Sequence, residues 1–173
     1  IDGPTFDQSI YKLIVSGDTT SVLKTLKDLF GFIDQLSSDN KHTGEITESK
    51  YDFCTKIVER YNKTSSFMSP AILDLNLDNF MISENDVYII DYEWRFDIPL
   101  PADYIKTRVL VNFFSKYEDS FAYLPSSTRP FHLIKFYETS MYIPEPVYMM
   151  YEKWLNKKSI DSYLYSEVLF HNY

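Results

Sequence analysis

Hydrophobic side chains recur at helical spacing through the first part of the chain. Intervals of three and four residues predict a short helix that ends at Gly17 and a longer helix over 22–33. Thr5 and Gln8 have the spacing of a capping box, which predicts that the first helix begins beside them. Gly31 lies inside the second pattern and costs about 1 kcal/mol against Ala, so the longer helix is expected either to continue past it or to end there.

The rest of the chain outside its middle part gives one loop prediction, from a polar stretch, and four helix predictions, from apolar patterns. Residues 37–50 are polar and predict an exposed loop. Apolar spacing predicts helices over Tyr51–Tyr61, Ala102–Phe114, Phe131–Met141 and Val147–Leu155. The last of these is entered through a Pro-Glu-Pro sequence, which favours a helix start.

The middle of the chain follows a different period. Phe80–Ile82 and Val87–Ile90 are apolar and rich in residues that favour strands, and Ser83–Asp86 between them has the composition of a turn. This pattern predicts a β hairpin. The expected fold class is therefore mainly α with a small β hairpin (α+β), in a single domain over residues 1–173.

Charge and hydropathy narrow the class of protein. The 173 residues are 45% hydrophobic and carry a formal net charge of -8, which predicts a folded chain and disfavours a nucleic-acid partner. No apolar run approaches the about 20 residues that a membrane-spanning helix needs. The N-terminal residues lack the basic start and the apolar stretch of a signal peptide, so a cytoplasmic location is expected.

Cysteine and glycine usage exclude several kinds of site. Cys54 is the only cysteine and the three histidines are scattered, so the sequence predicts neither an internal disulfide nor a zinc cluster. The four glycines are isolated from one another, which excludes a Rossmann fingerprint, a P-loop and a kinase-type glycine-rich loop.

Polar residues of unusual placement flank the predicted hairpin. Asp74 and Asn79 precede it, and Asp91 follows its second strand. Because a hairpin doubles the chain back on itself, we expect two carboxylates and an amide oxygen to converge. Such oxygens suit phosphoryl transfer, in which Mg²⁺ takes hard oxygen ligands and a further carboxylate accepts the proton of an attacking hydroxyl.

The spacing of these residues resembles a known family. Asp74–Asn79 has the form D-x-x-x-x-N of the kinase catalytic loop, and Ile90–Glu93 reads I-D-Y-E, which is similar to the metal-binding segment of choline kinases and aminoglycoside phosphotransferases. The resemblance implies that Asp74 is the catalytic base. It implies that Asn79, Asp91 and Glu93 form the metal site, with Glu93 accompanying the metal-binding Asp91. The implied cofactors are Mg²⁺ and ATP, and the implied acceptor is a small molecule or a sugar.

The sequence beyond this motif refines the resemblance. The continuation Trp94–Pro99 is similar to kinase-like domains that are fused to methyltransferases or glycosyltransferases of bacterial cell-surface polysaccharide synthesis. Residues 1–4 resemble the hinge that follows a kinase N-terminal lobe. The expectation is a C-terminal lobe from a longer multidomain protein. By itself it should be inactive, and it could form a homodimer through the surface that the missing lobe would cover.

Two alternatives stay open. The family usually has a His two residues before the base, and Ile72 occupies that position here. One alternative is therefore a non-catalytic kinase-like interaction module attached to a methyltransferase or glycosyltransferase. The other is an unrelated helical interaction domain with a polar turn. The kinase interpretation requires that Asn79 and Asp91 come within reach of one Mg²⁺ ion, at about 2.1 Å from each ligand oxygen.

Overall fold

The computed structural model describes residues 3–38, 56–57, 66–83, 86–91, 95–97, 99–124, 131–136, 139–155 and 165. Within these ranges the protein is mainly helical with small two-stranded sheets, so the coarse fold class expected from the sequence is confirmed. None of the described helices combines the length and apolarity needed to cross a membrane.

Helix α1 spans Phe6–Ser16 and ends where the sequence predicted. Gly17 adopts a left-handed conformation with φ 82°. Its amide donates to the Ile14 carbonyl at 3.1 Å, and the next amide, that of Asp18, donates to the Leu13 carbonyl at 3.0 Å. These two bonds form a Schellman motif, which satisfies carbonyls at the end of a helix and favours glycine at the left-handed position.

The start of α1 differs from the predicted capping box. The Thr5 side chain makes no capping hydrogen bond, and its hydroxyl donates instead to the carboxylate of Asp7. Asp7 also accepts the backbone amide of Gln8 at 2.8 Å. The capping-box prediction was wrong because a buried carboxylate two residues further on takes both the hydroxyl and the first-turn amide.

Helix α2 spans Thr19–Ser38 and runs straight through Gly31, so the alternative in which the helix continues is correct. The loop predicted over 37–50 starts later than expected, because Ser37 is helical and its hydroxyl donates to the Ile33 carbonyl at 2.7 Å. Residues 39–50 lie outside the described residues. Of the predicted helix over 51–61 only residues 56 and 57 are described, and both are helical.

The predicted hairpin is present. Strand β3 spans Phe80–Ser83 and strand β4 spans Asp86–Ile89, paired antiparallel with Phe80 opposite Ile89 and Ser83 opposite Asp86. Around it lie four two-residue strands, which form two antiparallel pairs: β1 (Phe67–Met68) with β6 (Leu100–Pro101), and β2 (Ala71–Ile72) with β5 (Arg95–Phe96). These short pairs hold the chain on either side of the hairpin together.

The C-terminal part contains helix α3 (Ala102–Lys116), the short α4 (Glu118–Ala122) and α5 (Glu145–Leu155), as the sequence predicted for α3 and α5. The helix predicted near Phe131–Met141 is wrong. The chain there forms a second hairpin, β7 (Phe131–Phe136) with β8 (Thr139–Pro144).

The physical reason for the second hairpin is the alternation of buried positions along β8. Met141 and Ile143 are buried whereas Tyr142 between them is only half-buried. A period of two is the signature of a strand with one face against a core. Strand β8 packs that face against α3 and α4, which supply the apolar surface that overrides the helical spacing.

Candidate active site

The loop between β2 and β3 carries the predicted site on an alternating pattern of burial. Its three leucines are at most 2% exposed, and the polar residues between them are half-buried. The leucines are Leu73, Leu75 and Leu77, and each is followed by one of the polar residues Asp74, Asn76 and Asp78. Each buried leucine anchors the backbone in the core. The polar side chains are therefore held at the core's edge.

Asn79 closes this loop and joins it to the hairpin. Its side-chain amide donates to the backbone carbonyl of Asp74 at 2.8 Å, and the backbone carbonyl of Asn79 accepts the backbone amide of Ile90 at 2.8 Å. The first bond orients the Asn79 amide, because Nδ2 must face Asp74 and Oδ1 must then face away. The second bond brings the residue before Asp91 directly against Asn79.

Asp91 lies at the end of the hairpin close enough to Asp74 for their charges to interact. Burial and, next, the charge of Asp91 raise the pKa of the Asp74 carboxyl above its ordinary value, with a further contribution from Asp78. The guanidinium of Arg108 and a hydrogen bond from Asn79 act in the opposite direction without cancelling the shift. The structure thus places Asp74 close to both Asn79 and Asp91, and the role of the three residues in one site stays a prediction.

Glu93, the remaining predicted metal-site residue, lies outside the described residues. Among the residues that are described, no group of three or more His, Cys, Asp and Glu side chains is arranged to hold a metal ion. Asn79 and Asp91 together offer two oxygen-bearing side chains. Oxygen is the donor type that Mg²⁺ prefers, and the ion commonly takes one or two protein ligands and completes its shell with waters and phosphate oxygens.

A polar stripe on α3 holds the loop from the other side. Arg108, Asn112 and Lys116 follow one another at four-residue intervals, and residues at this spacing share one helix face. The Arg108 Nε donates to the Leu73 carbonyl at 3.3 Å. Further along, Lys116 Nζ lies 2.8 Å from the Asp78 carboxylate.

The middle residue of the stripe reaches the carboxylate of Asp74 through one other amide. Asn112 donates to Asn76 Oδ1 at 2.6 Å, and Asn76 Nδ2 donates to Asp74 Oδ1 at 2.8 Å. The first bond fixes which end of the Asn76 amide faces Asp74. The orientation of the candidate base is therefore set from α3.

Lys116 also links the loop to α1. Its Nζ lies 2.8 Å from Asp7 Oδ2, and the Tyr117 hydroxyl donates to the same oxygen at 2.8 Å. Burial alone would raise the pKa of Asp7, which is 2% exposed, but hydrogen bonds from Lys116, Thr5 and Tyr117 outweigh it and lower the pKa. Burial and the Asp7 carboxylate raise the pKa of Tyr117 to about 12.

Sequence reasoning missed the stripe on α3 and the buried Asp7. The signal for the stripe was present, since three polar residues interrupt an apolar helix at four-residue spacing. The signal for Asp7 was absent. An acidic residue in the first turn of a helix ordinarily faces water and the helix dipole.

Comparisons of the chain with family models, with curated proteins and with solved structures find no match. The proposed roles of the loop residues therefore depend on their resemblance to the kinase motif together with the geometry of the loop, the hairpin and α3.

Proposed function

We propose that the chain carries the catalytic loop of a kinase-like phosphotransferase, which transfers the γ-phosphoryl group of ATP to a hydroxyl of a small molecule or sugar. The observation that carries the proposal is the convergence of Asp74, Asn79 and Asp91 at the base of the β3–β4 hairpin. The resemblance of Trp94–Pro99 to domains of polysaccharide-building enzymes favours a sugar-containing acceptor and a larger transferase as the parent.

Asp74 is the proposed general base. Its carboxylate is oriented by Asn76, and a raised pKa makes it a better proton acceptor than an ordinary aspartate. The backbone immediately before it is bound by Arg108. This contact supports the proposal despite Ile72, because it supplies from α3 a brace for the catalytic loop in a chain that lacks the family's histidine.

Asn79 and Asp91 are the proposed metal ligands. Asn79 presents a neutral oxygen whose orientation its bond to Asp74 fixes, and Asp91 is exposed at the surface. Bound Mg²⁺ would neutralise phosphate charge and align the phosphates for transfer. A neutral amide ligand beside a single charged one leaves much of the ion's charge available to the phosphates.

A second candidate is the non-catalytic interaction module. Its support is a set of apolar side chains on β4 and just after it, with Val87 49%, Tyr88 39% and Ile90 47% exposed. Exposed apolar residues grouped on one short strand are typical of a surface that a partner covers. This candidate needs no metal at Asn79 and Asp91, so metal binding separates the two.

Paramagnetic Mn²⁺ is the sharpest probe of the metal assignment. In ¹⁵N-labelled protein, Mn²⁺ at substoichiometric concentration should broaden the backbone amides next to Asn79 and Asp91, and Mg²⁺ in excess should restore them. Asp91→Asn should abolish the broadening. Asp28→Asn, which removes the same charge from an exposed site on α2, should leave it unchanged.

Phosphoryl transfer tests the base. At the protein's natural length, Asp74→Asn should lower transfer from radiolabelled ATP to a panel of sugars and amino alcohols by about 10²-fold or more while keeping the Mn²⁺ effect. Mn²⁺ broadening that persists in Asp91→Asn, or that is strongest for amides away from the base of the hairpin, would contradict the metal site. Transfer that survives Asp74→Asn would contradict the base.

A further inference from the structure

Gly31 lies in the interior of α2, and nothing in the described part of the structure requires a glycine there. A glycine inside a helix costs about 0.5–1 kcal/mol against alanine. Its backbone is not in the left-handed region, and a Cβ built on it would meet no heavy atom within 4 Å. The fold itself would therefore accept, and gain from, a larger residue at this position.

The space above Gly31 is a cavity of about 310 Å³. Helix α2 contributes Lys27, Phe30, Gly31 and Asp34, and α3 contributes Lys106. Lys27, Gly31 and Asp34 are four and three residues apart, so they lie along one face of the helix. Gly31, which has no side chain, lies on this face between the cation of Lys27 and the carboxylate of Asp34. These three residues are called the floor of the cavity.

The lysine at the back of the cavity, Lys106, is already paired with carboxylates. The Lys106 side chain is 10% exposed, and its Nζ lies 2.5 Å from Asp34 Oδ1 and 3.6 Å from Asp103 Oδ1. It also lies 5.9 Å from the centre of the Phe30 ring. Lys106 therefore holds Asp34 in place, and the positive charge of Lys106 is already paired with two carboxylates.

The two ends of the floor face solvent. Lys27 is exposed and makes no ion pair with any carboxylate in the described parts of the chain. The Asp34 side chain is 52% exposed, although its Oδ1 is paired with Lys106. An anionic group at Lys27 and a hydrogen-bond donor at the exposed Asp34 carboxylate would complete the site.

We propose that this cavity binds a small elongated molecule with an anionic group at one end and hydroxyl or ammonium donors at the other. Seven residues of helix separate the two charged ends by about 10 Å, which is the length such a molecule must span. The missing Cβ of Gly31 lets its middle lie directly on the backbone of α2. The site is separate from the Asp74 loop and does not depend on the proposed phosphotransfer.

Two probes distinguish the possible donors. Glucose 6-phosphate offers a phosphate and hydroxyls, and 6-aminohexanoate offers a carboxylate and an ammonium group. Titrated at millimolar concentrations into ¹⁵N-labelled protein, one or both should shift the amides of residues 27–34 and those around Lys106. Binding of the first alone assigns hydroxyl donors, and binding of the second alone assigns an ammonium.

Substitution of Gly31 gives effects of opposite sign on stability and binding. Gly31→Ala should raise Tm, because it restores helix propensity without a clash, and should weaken binding several-fold. Gly31→Leu should place a bulky side chain where the middle of the ligand would lie and abolish binding. Lys27→Gln should weaken binding about tenfold, whereas Lys24→Gln, an equal change one turn earlier outside the cavity, should not.

The proposal is overturned if neither probe shifts these amides, or if shifts persist unchanged in Gly31→Leu. Should Gly31→Leu fail to fold, Gly31→Ala and Lys27→Gln decide in its place. Binding that neither variant weakens would then place the ligand elsewhere on the surface.

Discussion

Two pairs of carboxylates lie at one loop, and their surroundings shift the pKa of one member of each pair in opposite directions. Asp7 and Asp78 share the ammonium of Lys116 at 2.8 Å each, and the pKa of Asp7 is lowered. Asp74, four residues before Asp78, is pushed the other way, because burial and the charge of Asp91 raise its pKa. The first pair stabilises the fold. The second pair stores charge repulsion that a bound cation would relieve.

The largest effect on stability is expected at the first pair. Asp7→Ala removes the buried carboxylate that accepts from Thr5, Lys116 and Tyr117, so the free energy of unfolding should fall by about 2–4 kcal/mol. Urea unfolding measures the change. As a control, Asp28→Ala on the exposed side of α2 should stay within about 0.5 kcal/mol of wild type. If the free energy of unfolding falls no more in Asp7→Ala than in the control, the first pair does not stabilise the fold as described.

A smaller effect of opposite sign is expected at the second pair. Asp74→Asn removes one of two interacting charges and keeps Oδ1 as an acceptor for Asn76, so the protein should become more stable by about 0.5–1 kcal/mol. Thermal melts check this. Asp91→Asn should also keep or improve stability while phosphoryl transfer collapses. If either variant unfolds more easily than wild type, the second pair is part of the structural framework after all.

The smallest effect is on the pH dependence of stability. The lowered pKa of Asp7 contributes stability that is present above the ordinary value of 3.8 and is lost as pH falls through the lowered, folded-state value. The raised pKa of Asp74 means a penalty at neutral pH that disappears as pH falls. In urea midpoints taken from neutral to acidic pH, Asp7→Asn should therefore flatten the acid loss and Asp74→Asn should steepen it. The same slope in both variants would show that the two carboxylates do not differ.

The sequence was sufficient to predict the elements whose structure depends on neighbouring residues alone. The β3–β4 hairpin follows from two strand-favouring runs around a turn, and the end of α1 follows from Gly17. The closeness of Asp74 to Asn79 and Asp91 is in keeping with the geometry of that hairpin. Their proposed chemistry still depends on the resemblance.

The sequence was insufficient where distant residues decide the structure. The β7–β8 hairpin is stabilised by burial of Met141 and Ile143 against α3 and α4, and no local pattern contains that surface. Likewise, the Asp7–Lys116 contact joins residues 109 positions apart. Gly31 shows the converse, since helix propensity left open a break at this residue and α2 continues through it.

The Lys116 contact has a consequence for the order in which the protein matures. Asp7 precedes Lys116 by 109 positions and Asp78 precedes it by 38, so the loop lacks its final partner until the end of α3 has been synthesised. Contacts of such long separation form slowly because the intervening chain must first be closed. A nascent chain in which the loop and hairpin have been synthesised but α3 has not would therefore lack the contacts of Lys116 with the loop that carries Asp74. In such a chain the candidate site becomes rigid only after α3 docks.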